Sequence, residues 1–520
     1  MKNANIFFRP QDRKGKFPLA VLLFFFIYFI AGLSVFRDYG ISWDENGHRY
    51  LGIITGNYIL NGDTTLFAEK DVNDHGSVFD LALVGAEFLL QPQSSRNIFM
   101  LRHGLSFLVF FFSTIVFYLL IFNRYKSWKL ALLGTAMLVM SPRFFAESFY
   151  NGSDIPSLCA AIICLYFLVR YQENKSYADL FLLSLCGALF IDIRIAGLIV
   201  PALALAFIIF DLIFLPAKKR LLLQVFFLIL VTGALVVLFW PYLWPDPVKM
   251  FAEVFRRMSA YDFEALTLFM GKFYHANELP WYYLPVWILV TIPVWYSFFM
   301  VTGFISIIIS GLKRFKDLKD PHASLRKDVV FTAIGFGTLT LVILMGVSFY
   351  DGWRHMYFLY PAFLMVALKG INLLYRLILN FQPAFRYVFT GLLLLLISFQ
   401  FFYIIHWHPY QNVYFNTLAG NPDGKFEKDY WGLSYRAGLE YILKNDSRST
   451  ISIEVNKPPG LFNRWILPDA DQKRIKFTGI EEADYFITEF RLQRIHVPEG
   501  KEVYAVSVDG LKIMAVYKLK

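Results

Sequence analysis

Asp44 and Glu45 stand side by side in the stretch FRDYGISWDENGHRYLG, directly after the first long apolar run. Comparable residues return where later apolar runs end on the same side: His48; His75; Arg102 and His103; Arg143, Glu147 and Asp154; Asp192 and Arg194; Asp351, Arg354 and His355; His406 and His408. Taken singly, each is explained at least as well by a helix end meeting water. Taken together, they come from seven separate segments, and ionisable groups beside a membrane interior are costly enough to point to function. In a bundle these ends converge on one polar cavity. Neighbouring carboxylates diverge by about 100° on a helix, so they need not share a role. One suits a general base for an attacking hydroxyl, and the other can orient a partner or bind a metal through oxygen. Arginine and histidine suit a departing phosphate, since guanidinium matches phosphate bidentately. Tyr and Trp rings in the loops on this side can pack on sugar faces. The inventory fits group transfer from a membrane-anchored phosphate to a hydroxyl.

The elements that must position these residues are apolar. Of 520 residues 57% are hydrophobic, with 56 Phe, which marks a polytopic membrane protein rather than a soluble one. The expected spans are 17–36, 99–122, 128–145, 155–170, 178–192, 194–215, 221–241, 284–311, 329–349, 355–375 and 387–405. The first follows Arg9, Arg13, Lys14 and Lys16; it is long for a signal peptide and has no clear cleavage site, so it reads as an uncleaved anchor. With the N-terminus cytoplasmic, the inside segments hold 21 Lys or Arg in 62 residues and the outside segments 11 in 125. That bias puts the acidic stretch on the extracytoplasmic side. It also accounts for the net charge of +10 without a nucleic-acid partner. Cys159, Cys164 and Cys186 all fall in spans and read as apolar filler.

Loop 37–98 contains GHRYLGIITGNYIL and VFDLALVGAEFLL, both amphipathic and of helical length, suited to lying along the interface. Loop 242–283 is rich in Trp, Tyr and Pro. The expected organisation is a transmembrane domain, 1–407, and a small α/β tail domain, 408–520. In the tail STISIEV, ADYFITEF, EVYAVSV and LKIMAVYKL read as strands, with a hairpin at Asp509-Gly510. There is no GxxxxGK[ST] and no GxGxxG after a strand, so a cytoplasmic nucleotide site is not expected. The DAD at 469–471 imitates a nucleotide-sugar motif but reads as a solvated loop. His48, four residues after Asp44, is better explained as a hydrogen-bonded histidine than as a metal ligand.

In order and sidedness, several motifs resemble the GT-C fold glycosyltransferases that use lipid-linked sugars. The nearest likeness is to glycosyltransferase family 39 and its bacterial relatives, which include protein O-mannosyltransferases and aminoarabinose transferases of lipid A. The motifs are ISWDENGHRYLG and HGSVFDL in the first loop, SPRFFAESFYNGSDIP after the third span, DIRIAG after the fifth, YDGWRHMYFLYP before the tenth, and HPYQNVYFN and DYWGLSYRAGLEYI after the last. They cover most of the chain. The about 11 transmembrane helices read from the apolar runs accompany this likeness, and the resemblance implies an inverting transfer from a polyprenyl-phosphate sugar to a hydroxyl on the outer side, the acceptor being a lipid, glycan or protein. It implies Asp44 as base, assisted or oriented by Glu45, with Arg354 and His355 where the lipid phosphate binds. His48, His75, Arg143 and Arg194 are further candidates for substrate binding. Asp154 matches an acid that in some members helps hold a metal. A divalent ion is therefore the one cofactor left open, because relatives differ in using one. The chain lacks the β-trefoil insertion of the eukaryotic O-mannosyltransferases, which weakens the case for a protein acceptor and fits a bacterial inner-membrane enzyme. Two rival readings are a lipid or sugar transporter, which tends to show repeats and broken helices near the midplane, and a non-catalytic membrane subunit.

Overall fold

The computed structural model describes residues 18–69, 75–259, 266–379, 383–492 and 499–520. The basic cluster Arg9, Arg13, Lys14 and Lys16 lies outside the described residues. Among those residues eight helices are long and apolar enough to cross a bilayer: Ser95–Tyr125, Asp154–Asn174, Ile195–Phe214, Lys218–Phe239, Val294–Lys313, Ser324–Met345, Arg354–Ile378 and Ala384–His406. The pair Trp128–Val139 and Pro142–Tyr150, bent by 66°, makes a ninth if counted as one span. Leu19–Val35 and Tyr177–Ile193 have 17 residues each, at the short limit for a span. The chain is an integral membrane protein.

Two expected spans are broken. The run 128–145 turns at Ser141-Pro142, where proline takes the first position of a new helix. The run 284–311 stops at Thr291 and restarts after Pro293, which lacks the N–H that a continuous helix needs. Hydroxyls start three other helices. Ser94, Ser127 and Ser176 accept backbone N–H groups of the first turn from Asn97, Leu130 and Asp179. Helices Val294–Lys313 and Tyr360–Ile378 cross at two glycines. A Cβ on Gly303 would lie 1.9 Å from the Val366 carbonyl oxygen, and one on Gly370 would lie 2.1 Å from that of Phe299. Such closeness is how helices associate without a hydrophobic driving force.

The bundle end remote from Asp44 is clamped by buried ions. Arg326 binds Asp211 through two nitrogens at 2.7 and 2.8 Å and also donates to Gln172. Arg124 holds Asp328 bidentately at 2.7 Å, and Lys369 adds a third contact at 2.9 Å. Lys175 pairs with Asp211, and Lys327 with Glu173. Desolvated pairs of this kind survive only when each charge is fully partnered.

At the Asp44 end, helices Glu45–Asn61 and Val78–Leu90 occupy the two amphipathic stretches of the first loop. The loop 242–283 contains an unforeseen amphipathic helix, Pro247–Ser259, and a hairpin of β1 (Thr267–Phe269) and β2 (Lys272–Tyr274). The tail carries a five-stranded mixed sheet in the order β4-β3-β5-β7-β6. Its strands are β3 (Ile451–Val455), β4 (Ile475–Phe477), β5 (Tyr485–Glu489), β6 (Lys501–Val508) and β7 (Leu511–Lys518). Asp509 and Gly510 both have positive φ, 48° and 80°, as the tight β6–β7 turn requires. Leu439 and Ile442 of helix Tyr435–Asn445 pack in one core with the sheet. The DAD segment forms a short helix, Asp469–Gln472, with no buried residue. Residues 411–433 do not join the sheet. They run over the bundle, where Asn416 caps the carbonyls of Leu289 and Ile292, and Phe415, Phe426 and Trp431 belong to the bundle core.

Candidate functional site

The two neighbouring carboxylates have different surroundings. Glu45 opens its helix and is buried. One oxygen accepts the Ser42 N–H at 2.6 Å, and the other lies 2.8 Å from His103 Nε2. The second ring nitrogen of His103 faces the Phe36 carbonyl at 3.3 Å. Glu45 is thereby committed to fixing the loop–helix junction against helix Ser95–Tyr125. Asp44, one residue earlier, keeps 31% of its side-chain surface exposed. Its Oδ2 accepts from Arg354 Nη1 at 2.9 Å.

Arg354 is the hub. It is only 6% exposed, and three carboxylates surround it: Asp44, Asp154 at 3.3 Å and Asp351 at 3.1 Å. Its guanidinium lies over the rings of Trp431 (4.9 Å) and Tyr350 (5.3 Å). Asp154 is fully buried at the start of helix Asp154–Asn174. It pairs with Arg194 as well as Arg354, and accepts from Asn151 Nδ2 at 2.9 Å. Arg194 stands at the break between Tyr177–Ile193 and the following 3-10 turn. His355 follows Arg354 and packs edge-on against Tyr350, with ring centres 4.6 Å apart. The structure therefore brings Asp44, Asp154, Arg194, Arg354 and His355 into one cluster.

The other expected residues are placed beside this cluster or away from it. His48 Nδ1 donates to Asp80 Oδ2 at 3.2 Å, and its ring stacks on His75 at 5.3 Å. Burial works against the His48 cation, but Asp80 and Asp44 outweigh it and raise its pKa. Burial, followed by the neighbouring His48, pushes His75 down to about 4. Arg143 points elsewhere: it donates to the Tyr414 carbonyl at 2.9 Å and lies over Phe415 at 4.8 Å, tying residues 411–433 to the bundle.

Glu147 is among the acids expected at this face, whereas Asp80, Glu87 and Arg491 escaped sequence reasoning. Glu147 is buried and accepts from Tyr357, Tyr430 and Asn151 at 2.8, 3.2 and 2.8 Å. Asp80 and Glu87 neutralise His48, Arg102 and Arg49. Arg491 of the tail pairs with Asp351. Nothing local to Arg491 marks it in the sequence.

A divalent metal at Asp154 does not fit these donors. Both carboxylate oxygens already face guanidinium groups, and among the described residues no group of three or more His, Cys, Asp or Glu could hold an ion. Close to the cluster an apolar cavity of about 740 Å³ opens between helices Tyr177–Ile193, Ile199–Phe214, Lys218–Phe239 and Pro247–Ser259. Its walls include Ile191 and Leu198, on either side of Arg194 in the chain.

No family model matches the chain, and no curated protein does. Solved structures do. The oligosaccharyltransferase of Archaeoglobus fulgidus in its apo form is similar over 91% of this chain and 69% of its own, with 12% identity and a TM-score of 0.51. Archaeal oligosaccharyltransferase AglB from the same organism, in complex with an inhibitory peptide and a dolichol-phosphate, is similar over 86% and 66%, with 11% identity and a TM-score of 0.50. The chain thus spans just under two thirds of that second structure. ArnT from Cupriavidus metallidurans, bound to undecaprenyl phosphate, is matched over 96% and 98%, with 10% identity and a TM-score of 0.48. The protein has the GT-C fold of membrane glycosyltransferases.

Proposed function

We propose that the protein is an inverting glycosyltransferase. It moves a sugar from a polyprenyl-phosphate donor to an acceptor hydroxyl on the extracytoplasmic side of a bacterial inner membrane. One observation carries the reading: a partly exposed carboxylate, Asp44, sits on a buried guanidinium, Arg354, beside a second guanidinium, Arg194. A base and a phosphate cradle in contact are what this transfer needs. The GT-C fold and the nearby apolar cavity support it. The cavity suits the polyprenyl chain, with its phosphate reaching Arg194 and Arg354. The Lys and Arg bias supports a cytoplasmic N-terminus and an extracytoplasmic tail domain.

The chemistry follows from the pairings. In the free enzyme Arg354 masks Asp44. The arriving phosphate takes over Arg354 and Arg194, which releases the Asp44 carboxylate. The acceptor hydroxyl then attacks the anomeric carbon, its proton passes to Asp44, and the carbon–oxygen bond to phosphate breaks. The electron pair leaves with polyprenyl phosphate, held by the guanidinium groups. Attack opposite the leaving group inverts the configuration. His48 and His75 lie behind Asp44 and shape its surroundings.

The test uses the purified full chain in lipid nanodiscs, a panel of polyprenyl-phosphate sugars and bacterial envelope extract as acceptor. Polyprenyl phosphate released by the wild type and not by Asp44→Asn is the expected result. Transbilayer movement of labelled donor in proteoliposomes without bond cleavage would replace this reading with that of a transporter.

A further inference from the structure

Arg354 is tied to the tail domain through a chain of alternating charges. Asp351 Oδ2 lies 3.1 Å from Arg354 Nη2, and the other oxygen of Asp351 pairs with Arg491. Arg491 lies two residues beyond β5, and the intervening Phe490 is fixed by its N–H to the Ile513 carbonyl of β7 at 2.9 Å. The sheet thus delivers Arg491 to the bundle. The φ of Asp351 is +55°, a left-handed turn conformation that aspartate adopts more readily than most residues. The next residue, Gly352, also at positive φ, donates its N–H to Tyr283 Oη at 3.0 Å. Arg491 also contacts Glu427 at 3.2 Å, and both acids are buried. Burial pushes Glu427 up to about 7 against the pull of Arg491.

We propose that Arg491 is a positioning residue. By holding Asp351 it orients Arg354 towards the donor phosphate, so that docking of the tail sheet prepares the phosphate cradle. The proposal rests on the glycosyltransferase reading above. Without Arg491, Asp351 loses its second anchor and two buried acids lose a cation beside the site of an incoming anion. Both effects weaken donor binding, and neither touches Asp44. A guanidinium fork holds two carboxylates in a way that an ammonium cannot.

The experiment measures binding of undecaprenyl phosphate and donor KM and kcat on full-length Arg491→Gln, Arg491→Lys, Asp351→Asn and the Arg491→Gln/Asp351→Asn double variant in nanodiscs. Thermal unfolding of each is followed in parallel. The expected result is a rise of about tenfold or more in donor KM and in the Kd for undecaprenyl phosphate, with kcat changed less. Arg491→Lys should be intermediate, and the double variant no worse than the poorer single one, as coupled residues behave. A variant that loses thermal stability but keeps the wild-type Kd and KM would overturn the proposal and make Arg491 a fastener only. Additive effects in the double variant would overturn the route through Asp351. Wild-type protein that neither binds undecaprenyl phosphate nor cleaves any donor would overturn the glycosyltransferase reading, and the positioning role with it.

Discussion

Arg354 Nη1 lies 2.9 Å from Asp44 Oδ2, although 310 positions separate the two residues in the chain. The contact joins the loop after the first apolar helix to the turn before helix Tyr360–Ile378.

Asp44→Asn keeps the shape of the side chain and removes its basicity. Turnover should fall by about 10²–10⁴, the usual contribution of a positioned general base. Donor binding should persist, because Arg354 loses one competing carboxylate. Release of polyprenyl phosphate, measured beside a direct donor-binding assay, checks both halves. Near-normal turnover would remove Asp44 as the base.

Glu45→Gln should behave differently. Glu45 accepts the Ser42 N–H and meets His103, so the variant weakens an anchored junction and not the chemistry directly. A loss of about 1–3 kcal/mol in stability is expected for a buried, charge-assisted contact. Calorimetry and turnover together decide: a lowered Tm with residual activity supports the anchor, whereas unchanged Tm with abolished activity makes Glu45 a second catalytic acid.

Arg354→Ala leaves Asp44, Asp154 and Asp351 clustered around a vacated cation. Truncating one partner of a buried charged pair typically costs about 2–5 kcal/mol. Donor affinity should therefore drop by at least about tenfold, with Arg354→Lys recovering part of it. Equal donor affinity in wild type and Arg354→Ala would remove Arg354 from the phosphate cradle.

The stacked histidines give the first loop opposite pH limbs. His75 is held at about 4 against an ordinary 6.5, so the folded loop binds fewer protons than the unfolded one between those values. Its contribution is present above about 6.5 and is lost as the pH falls towards 4. His48 is raised, so its contribution is present below 6.5 and is lost as the pH rises through its folded value. Amide exchange in helix Glu45–Asn61 should be slowest near pH 6.5, after correction for the intrinsic rate. His75→Asn should remove the acid limb and Asp80→Asn the alkaline limb; a flat wild-type profile would sink the argument.

Chelation should leave turnover unchanged, since guanidinium groups already occupy both oxygens of Asp154. Activity lost on thorough chelation and restored by one divalent ion would place a metal there after all.

Much of this was legible in the chain. Apolar runs located the spans, and the break at Arg194 divides Tyr177–Ile193 from the next span as expected. The two amphipathic stretches of the first loop are helices, and Asp509-Gly510 is the hairpin turn. What stayed hidden was long-range. The separate situations of Asp44 and Glu45 depend on His103 and Arg354, which no local pattern connects to them. Arg143 has the right type and side for substrate, but residues 411–433 fold back and claim it. Those residues carry Phe415, Phe426 and Trp431, whose apolar faces found a better home on the bundle than in a small sheet. Arg491 was indistinguishable from any surface arginine until the sheet delivered it to Asp351.

The ion lattice at the far end of the bundle has a bearing on traffic. Asp211, Arg326, Asp328 and Arg124 bolt helices from three parts of the chain together through buried ion pairs. Opening a passage there would strand several charges in a dry interior at once. Under the proposed function a sugar lipid would therefore reach the site from the leaflet at the Asp44 end, and turning it across the bilayer would fall to a different protein.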